Sequence, residues 1–494
     1  MATSIIQTPQ GLLFAALAIL TAALLYAQVK SYARLRHIPG PLLASLTDLW
    51  SATKVWRGAH HCEIVHELHQ KYGPIVRFGP NRVSFANPDT IPQIYGTGQV
   101  FPKASSYNPM RTLANGKEIM SLVTISDEKK VTSLKRHISA GFSQSTWLKQ
   151  EAQIDGTLKI LITQLRARAG QEVPLNTWLS FWSFDTLTEL AFSESRGFLT
   201  AGRDLDGICP SGHQRFAHWR LWASLPGWEA VIYKNWIVTR IQRATGPLAQ
   251  LAIRRIQQRK AEDKAGGGGK DLLGRYLAAS QEAPEAVAPA DVLGLTISTI
   301  HAGSETTAMT SSATLVYLLW NPATLARLEE EVLGAGLSFP PRFAEVDKLV
   351  YLDAVIREGM RLFVNPNCVE RTITPPGAEI GGVYLPAGTG VSISELDTTR
   401  DPAVYGADPH SFKPERWLNV DKTKWAEMNR VSFGFSYGRR ECIGKHLARM
   451  EMKKLLASLI LSFKIVPTKP VQMWMESSLG QTRLDVRLEP RVPL

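Results

Sequence analysis

One cysteine near the C-terminus stands in a setting that suits metal chemistry. Cys442 lies between Gly438 and Gly444, with Arg440 two residues before it and Phe435 seven before it. Glycine permits backbone bends and close approaches that a side chain would resist, and an arginine can bind a carboxylate through charge-assisted hydrogen bonds. Each of these features has a physical use if Cys442 binds haem iron as a thiolate. Phe435 would then pack near the sulfur, and Gly444 would let the backbone approach the porphyrin.

The stretch that follows this cysteine supports the same chemistry. Residues 447–463 are largely apolar and are predicted to form a helix. The N–H groups and positive dipole end at a helix N-terminus favour a thiolate over a thiol. Two alternatives remain. Cys442 could be a buried apolar residue in a glycine-rich turn, or it could bind zinc with His446, although two ligands make at most half a zinc site.

A second group of chemically useful residues lies within a long apolar stretch, 290–320, that is predicted to be a helix. Small Ala302 and Gly303 leave room against a flat cofactor, while Glu305 and Thr306 place an acid and a hydroxyl in an apolar setting. Buried polar groups need partners, so the acid and the hydroxyl predict a path for proton delivery. The alternative is a threonine whose hydroxyl bonds back to a helix carbonyl.

Two further motifs combine into a charged cluster. Glu358 and Arg361 are three residues apart, which places them on one helix face and within reach of an ion pair. Downstream, the stretch 412–417 carries Arg416. Alone, the first pair is a weak signal because such pairs occur on many solvated surfaces.

In this order and at these spacings, the four motifs resemble the cytochrome P450 family, whose thiolate ligand favours cleavage of the O–O bond. The resemblance spans about residue 30 to the C-terminus and implies a mainly α fold with a small β-rich region, preceded by one N-terminal transmembrane helix. The loop sequence also resembles microsomal fungal members of secondary metabolism, such as pisatin demethylase-like enzymes.

The resemblance also implies residue roles. Cys442 would be the axial ligand of haem b (iron protoporphyrin IX), and Arg440 and Arg371 would contact its propionates. Thr306 would hydrogen-bond dioxygen at the iron, with Glu305 relaying protons through water. The resemblance assigns a structural role, locking the cysteine loop to the rest of the fold, to a cluster of Glu358, Arg361 and Arg416.

One departure from the family concerns the helix before Phe142. The family often has Trp-x-x-x-Arg there, whereas this chain has Val131 and Lys135. Lys135 would replace the arginine as a point charge, without the guanidinium fork.

The N-terminus predicts a membrane anchor. Residues 11–29 form an apolar run of the length needed to span a bilayer, and Lys or Arg residues follow it rather than precede it. The positive-inside rule then makes 1–10 a lumenal N-terminus. A Pro/Gly hinge follows at 30–45 and the haem-thiolate domain at 46–494, facing the cytosol from the endoplasmic reticulum membrane. A cleaved signal peptide is disfavoured because the charges lie on the wrong side.

Composition and net charge indicate the compartment of this protein and the kinds of molecule that it binds. The four cysteines of the 494-residue chain show no paired spacing, which indicates a reducing compartment. The net charge is +12, yet no nucleic-acid recognition motif accompanies it, which argues against nucleic acid. Part of this charge surrounds the cysteine and suits docking of an acidic electron donor, although a merely solvated face is the alternative; the residues are Arg439, Lys445, Arg449, Lys453 and Lys454.

Other segments have simpler predictions. Residues 75–90 are expected to form a hairpin, 129–265 to be mostly helical before the connector Gly266–Gly269, and 369–396 to form a small sheet. Tryptophans in the stretch 210–236 could enter the membrane interface or belong to the core; they are Trp219, Trp222, Trp228 and Trp236.

The expected reaction is insertion of one oxygen atom from dioxygen into a lipophilic small molecule. Electrons would come from NADPH through NADPH-cytochrome P450 reductase, with cytochrome b5 as an optional second donor. The alternatives are a haem-thiolate isomerase or dehydratase, disfavoured by the intact acid and hydroxyl, and a non-catalytic haem-binding sensor.

Polar residues predicted near the haem suggest that the substrate already bears oxygen or nitrogen, because an unpaired amide in an apolar pocket costs about 1–3 kcal/mol. The candidates to contact it are His301, Ala302, Asn365, Asn367 and Cys368. In the alternative, the asparagines bond the backbone of a turn and His301 faces a neighbouring helix.

Overall fold

Helices dominate the chain. The computed structural model describes residues 9–241, 245–264, 271–363, 369–476 and 479–491. The helices up to residue 264 are α1 (Pro9–Arg34), α2 (Leu42–Leu46), α3 (Leu49–Trp56), α4 (His61–Tyr72), α5 (Ile91–Tyr95), α6 (Glu128–Ile138), α7 (Gln144–Lys149), α8 (Glu151–Arg166), α9 (Leu175–Phe192), α10 (Phe198–Ala201), α11 (Ile208–Trp222), α12 (Pro226–Tyr233), α13 (Trp236–Ile241) and α14 (Pro247–Lys264).

The second half is also helical and contains the longest helix. Its helices are α15 (Leu272–Glu282), α16 (Pro289–Trp320), α17 (Pro322–Gly334), α18 (Phe343–Val346), α19 (Val350–Leu362), α20 (Glu395–Thr398), α21 (Pro402–Tyr405), α22 (Lys422–Ser432) and α23 (Lys445–Ser462). Short 3-10 helices include Ser105–Met110, Pro414–Trp417 and Gly438–Arg440. The predicted helices at 290–320 and 447–463 therefore match α16 and α23.

The strands form small sheets at the periphery. They are β1 (Ile75–Gly79), β2 (Arg82–Phe85), β3 (Thr112–Ala114), β4 (Lys117–Ile119), β5 (Glu172–Pro174), β6 (Arg371–Thr372), β7 (Gly377–Ile380), β8 (Val383–Pro386), β9 (Gly390–Ile393), β10 (Phe463–Pro467), β11 (Gln472–Glu476), β12 (Leu479–Arg483) and β13 (Asp485–Pro490). The order β1-β2-β9-β6 makes one sheet, in which β2 pairs with β9 in parallel and the other pairs are antiparallel.

The remaining strands pair antiparallel. β10-β13-β5 form a three-stranded sheet, and β3/β4, β7/β8 and β11/β12 form two-stranded sheets. The predicted hairpin at 75–90 is β1/β2, and the predicted small sheet at 369–396 is β6 to β9. The mostly helical prediction for 129–265 holds except for the short strand β5, and the connector Gly266–Gly269 lies outside the described residues.

Helix α16 lies at the centre of the molecule because it is apolar on nearly all sides. It packs along α9, and both helices contribute to the main hydrophobic cluster, as do α8 and α23. Leu158, Leu187, Leu295 and Leu456 represent these four helices in the cluster, and each is buried. A helix that is hydrophobic all round belongs in a protein core, so α16 supplies a rigid axis for the residues predicted to do chemistry.

Helix α1 differs from α16 because the described side chains of its apolar stretch are not buried. Residues Leu12–Arg34 have a mean hydropathy of 2.2, and none of the tested stretch is buried. The helix is long and apolar enough to cross a membrane. It covers the predicted span 11–29 and continues to Arg34, after which the chain turns into α2.

Candidate functional site

The cysteine loop between α22 and α23 follows an unusual backbone course. Phe433, Ser436 and Gly438 have φ angles of +54°, +62° and +66°, in the left-handed region. A side chain on Gly438 would place its Cβ 2.0 Å from the carbonyl oxygen of Tyr95. Glycine is therefore required at 438. The loop is closed by the N–H of Cys442, which donates to the carbonyl of Phe435 at 2.8 Å.

The side chain of Cys442 is available to a ligand. Cys442 is exposed, yet the protein around the thiol still desolvates it, and this raises the pKa of Cys442 above its ordinary value. A hydrogen bond with the backbone of Gly444 and the charge of Lys135 act in the opposite direction. Burial thus outweighs the contribution of the helix N-terminus, and the predicted thiolate needs further stabilisation. A coordinating metal ion would supply the missing stabilisation, since a coordinating thiol is deprotonated outright.

On α16 the structure separates the roles of the two small residues. Ala302 is exposed although it lies in the middle of the central helix α16, so its face of α16 borders open space. Gly303 instead faces α9, where an added Cβ would lie 2.8 Å from a methyl group of Leu187. The prediction that both leave room for a flat cofactor is corrected: Gly303 serves helix packing.

Thr306 lies one turn after Ala302 and borders the same face. Its hydroxyl donates to the carbonyl of Ala302 at 2.6 Å, which is the back-bonded arrangement that sequence analysis kept as the alternative. Such a hydroxyl still has two acceptor lone pairs. Its role in proton delivery stays a prediction.

Glu305 points away from Thr306, toward α11. A Cβ on Gly212 would lie 1.9 Å from Glu305 Oε1, so the carboxyl group rests directly on the α11 backbone. Burial raises the pKa of Glu305 to about 8, and the charge of Arg215 acts against this rise. The carboxyl group therefore holds its proton at neutral pH.

His301 faces α11, as the alternative interpretation had it. Its ring stacks on Phe216 with 4.6 Å between centroids, and it is buried. Burial lowers the pKa of His301 to about 3, with Arg215 and His213 acting in the same direction and a hydrogen bond with the backbone of Gly212 against it. Since His301 is neutral and Glu305 is protonated, the 3.9 Å contact between His301 Nε2 and Glu305 Oε2 is not an ion pair at neutral pH.

A buried carboxyl group that sequence analysis missed joins α23 to α16. Glu451 is buried, and its only resolved side-chain partner in the described part of the chain is the hydroxyl of Thr307, next to Thr306. Burial raises the pKa of Glu451 to about 8. This contact ties the helix that follows Cys442 to the middle of α16. A lone glutamate among the apolar residues of α23 was the available signal.

The structure brings Glu358, Arg361 and Arg416 together. The guanidinium of Arg361 donates to both carboxylate oxygens of Glu358, at 2.9 and 2.7 Å, and Arg416 Nε donates to Glu358 Oε1 at 2.8 Å. The indole of Trp417 and the N–H of Lys413 complete the set, at 2.9 and 3.0 Å. Glu358 and Arg361 have no exposed side-chain surface.

The cluster holds the segment 399–417 rather than the cysteine loop directly. Arg361 also donates to the carbonyls of Thr399, Pro409 and Ser411. Its link to the loop is indirect, because Trp417 belongs to the same hydrophobic cluster as Phe433, where the loop begins.

Cationic side chains gather beside the cysteine loop. Arg371 is buried, with its guanidinium 5.1 Å from the ring of Tyr95. Arg440 pairs with Glu128 at 2.6 Å and donates to two backbone carbonyls. Lys135 Nζ donates to the carbonyls of Arg439 and Glu441, at 2.8 and 3.1 Å. Thus Arg440 and Lys135 both brace the loop.

Two of the five cations predicted to form a docking surface are buried instead. Lys453 pairs with Asp347 and Asp353, and Lys454 pairs with Asp155 at 2.7 Å and with Glu151. Both lysines lie on the core side of α23. Arg439 is exposed, and Lys445 and Arg449 are half-buried. The surface charge near the loop is therefore smaller than the sequence suggested.

The site residues fit a haem group. The exposed Cys442 would suit its iron, and the exposed Ala302 on the central helix would suit its flat face. The buried guanidinium of Arg371 and the nearly buried one of Arg440 would suit its propionates. Phe435 contributes its carbonyl to the loop, and the guanidinium of Arg449 lies 5.5 Å from its ring. A side chain on Gly444 would meet Cys442 Sγ only at 3.9 Å. The candidates Asn365, Asn367 and Cys368 lie outside the described residues.

Comparison with known proteins supports this arrangement. The sequence model of the family Cytochrome P450 matches residues 39–488. The chain is 34% identical over 459 residues to the cytochrome P450 monooxygenase mpaDE' of Penicillium brevicompactum, covering 90% of this chain and 53% of that protein. The chain thus spans about half the length of the first curated relatives that it matches.

Other relatives match along most of their length. A cytochrome P450 monooxygenase of Aspergillus terreus is 33% identical over 455 residues, which cover 88% of this chain and 92% of that protein. The cytochrome P450 monooxygenase pkfB of Emericella nidulans is 33% identical over 491 residues, which cover 95% of each. The residues matched by the family model include the cysteine loop and α16.

Proposed function

This chain belongs to the cytochrome P450 family, and on that premise we propose that it is a haem-thiolate monooxygenase that inserts one oxygen atom into a lipophilic small molecule. The observation that carries the proposal is an exposed Cys442 in a strained loop whose following helix is tied to α16 beside Thr306. When bound, the haem supplies dioxygen binding and O–O cleavage, helped by its thiolate ligand.

The residues of the chain would hold the cofactor and move protons. Cys442 ligates the iron, and Arg440 and Arg371 bind the propionates, with Lys135 bracing the loop between them. Glu305, with a pKa of about 8, stores a proton at neutral pH, and the Thr306 hydroxyl passes it on through water. Because Glu305 rests on α11, this transfer requires its side chain to turn toward Thr306.

Electrons would come from NADPH through NADPH-cytochrome P450 reductase, with cytochrome b5 as a second donor. The exposed cation Arg439 and the half-buried Lys445 and Arg449 flank the cysteine loop, which supports docking of an acidic partner at this face. Such complementarity mainly raises the association rate.

We place the protein at the endoplasmic reticulum membrane as a single-pass protein with its catalytic domain in the cytosol. Besides α1, the segment α12–α13 supports membrane contact, because Trp228 and Trp236 are 61% and 70% exposed. Tryptophan is favoured at membrane interfaces. In contrast, Trp219 is buried and stacks on Tyr107, and the half-buried Trp222 packs against Trp56, so contacts within the protein hold both of these side chains.

The substrate is proposed to be a lipophilic intermediate of fungal secondary metabolism, already bearing oxygen or nitrogen. The fungal origin of the relatives supports the setting. Apolar side chains of α11, α16 and the 3-10 helix Ser105–Met110 meet in one cluster beside the exposed face of α16; they include Tyr107, Met110, Phe216 and Met309. This cluster supports a lipophilic substrate.

Spectroscopy tests the ligand assignment first. Cys442→Ala should abolish the red-shifted absorption band of the ferrous carbon-monoxide adduct, because only a thiolate ligand produces it, while the matched control Cys209→Ala should keep the band. Retention of the band in Cys442→Ala would refute the assignment. Reductase-dependent NADPH oxidation then separates a monooxygenase from an isomerase, a dehydratase or a sensor, none of which would consume NADPH.

A further inference from the structure

The cationic cluster beside the cysteine loop contains a member that no motif marks. Lys103 lies between α5 and the 3-10 helix Ser105–Met110, and it forms an isolated antiparallel bridge with Arg371. Its ammonium group donates to the carbonyl of Val123 at 2.9 Å and lies 4.3 Å from the ring centre of Tyr107. An ammonium group has three N–H donors. Within the described residues, the hydrogen bond to Val123 accounts for one of them.

Positive groups outnumber carboxylates among the charges that act on Lys103. Arg371, Arg440 and Lys135 act on it as neighbouring cations, and Glu128 acts as a neighbouring carboxylate. Glu128 is already bound by Arg440 at 2.6 Å. Burial and these cations together lower the pKa of Lys103 well below its ordinary value. Lys103 is half-buried, and charges removed from water need partners, so an additional anion would offset part of this positive charge.

The other cations are already occupied or differently placed. Lys135 stands where the family often has an arginine. Its ammonium group donates hydrogen bonds to the carbonyls of Arg439 and Glu441. Within the described residues, two of the three N–H donors of Lys103 therefore have no protein acceptor, whereas two of the three donors of Lys135 are taken up by the cysteine loop. Lys103 also lines an open groove together with Glu128, Lys129 and Arg439.

We infer that Lys103, together with Arg371, binds a haem propionate and so replaces the contact that the helix before Phe142 does not provide. The inference rests on the proposed haem function. A propionate carboxylate would accept hydrogen bonds from the ammonium and guanidinium groups, and its charge would offset part of the surplus.

Haem release from the full-length holoprotein tests this. The rate of transfer to excess apomyoglobin is measured for the wild type, Lys103→Met, Lys103→Arg and the control Lys129→Met, an exposed lysine of the same groove. Because a hydrogen bond to a charged group is lost, Lys103→Met should release haem about tenfold to a hundredfold faster. Lys103→Arg should stay near the wild-type rate, and Lys129→Met should match it. Lys103→Gln, which keeps an amide donor, is made in parallel in case Lys103→Met folds poorly.

Haem dimethyl ester separates a propionate contact from a packing role. The proteins are produced in cells that cannot make haem and are supplied with haem or with its dimethyl ester, whose propionates carry no charge. The substitution should accelerate release of haem but not of the ester. Equal acceleration of both, or no acceleration of haem release, would overturn the inference. A wild-type protein that takes up no haem would instead contradict the proposed function.

Discussion

Removing the guanidinium of Arg361 should destabilise this protein more than removing any exposed cation. Arg361 makes five hydrogen bonds, two to Glu358 and three to backbone carbonyls of the segment 399–411. It is completely buried. Arg361→Ala therefore breaks a buried ion pair and removes a donor from three carbonyl groups, of which that of Ser411 keeps Arg416 as a partner.

The expected loss of unfolding free energy depends on the partners that the groups around Arg361 keep. Removing one partner of a buried ion pair costs about 3–5 kcal/mol, and each orphaned buried acceptor adds about 1–3 kcal/mol unless water reaches it. Glu358 keeps Arg416, Trp417 and the N–H of Lys413 as partners, which limits the first contribution. We expect a total loss of about 4–6 kcal/mol, against a typical domain stability of about 5–15 kcal/mol.

Two variants frame the measurement. Arg361→Lys keeps the charge but offers three donors in place of five, so it should lose roughly half as much. Arg327→Ala removes an exposed cation that pairs with Glu415 at 2.8 Å, and such surface pairs contribute about 0–1 kcal/mol. Urea unfolding midpoints and haem content of the full-length protein in detergent give the ranking, with Arg361→Ala lowest. If Arg361→Ala matched Arg327→Ala in both, the buried cluster would not stabilise the fold as argued.

Three further predictions concern the site. Thr306→Ala should leave haem binding intact and raise the amount of peroxide released per NADPH consumed. If peroxide release and product yield were unchanged, the hydroxyl would have only a structural role in the helix. The pKa of Glu451 is raised from 4.5 to about 8 in the folded protein. Between about pH 4.5 and 8 the carboxyl group is therefore protonated in the folded state and ionised in the unfolded state. The free energy of unfolding should fall over this range by up to about 1.4 kcal/mol per pH unit. Glu451→Gln should flatten that slope in unfolding midpoints measured against pH, and an unaltered slope would contradict it. Gly438→Ala should yield little holoprotein because its Cβ meets backbone, whereas Gly212→Ala should keep haem and shift the pH profile of turnover by displacing Glu305; equal haem content in the two would refute this contrast.

Local sequence patterns were sufficient to predict the features whose contacts are close in the sequence. The stretch 290–320 was predicted as a helix from its composition, and α16 covers 289–320. The hairpin at 75–90 follows from the turn at Gly79 and forms as β1 and β2. The three-residue interval between Glu358 and Arg361 places them on one helix face, and they pair there.

Burial of charged residues could not be predicted in the same way. Lys453 and Lys454 looked like surface cations because they are consecutive lysines next to a basic loop. In the structure their partners come from other elements, Asp347 after α18 and Asp155 in α8. Lysine is seldom buried unless it is paired, and no feature near position 453 reveals that a carboxylate from elsewhere will meet it.

The direction of the Glu305 side chain on α16 could not be predicted from the sequence either. The sequence placed Glu305 next to Thr306 and predicted a shared role, but adjacent residues of a helix point about 100° apart. Glu305 consequently faces α11, where the missing side chain of Gly212 gives it room, and the desolvation there raises its pKa to about 8. The position of the stored proton is thus set by a glycine on another helix. Any movement of α11 that opens this contact would change both the pKa of Glu305 and its distance from Thr306, so the proposed proton delivery would depend on two helices.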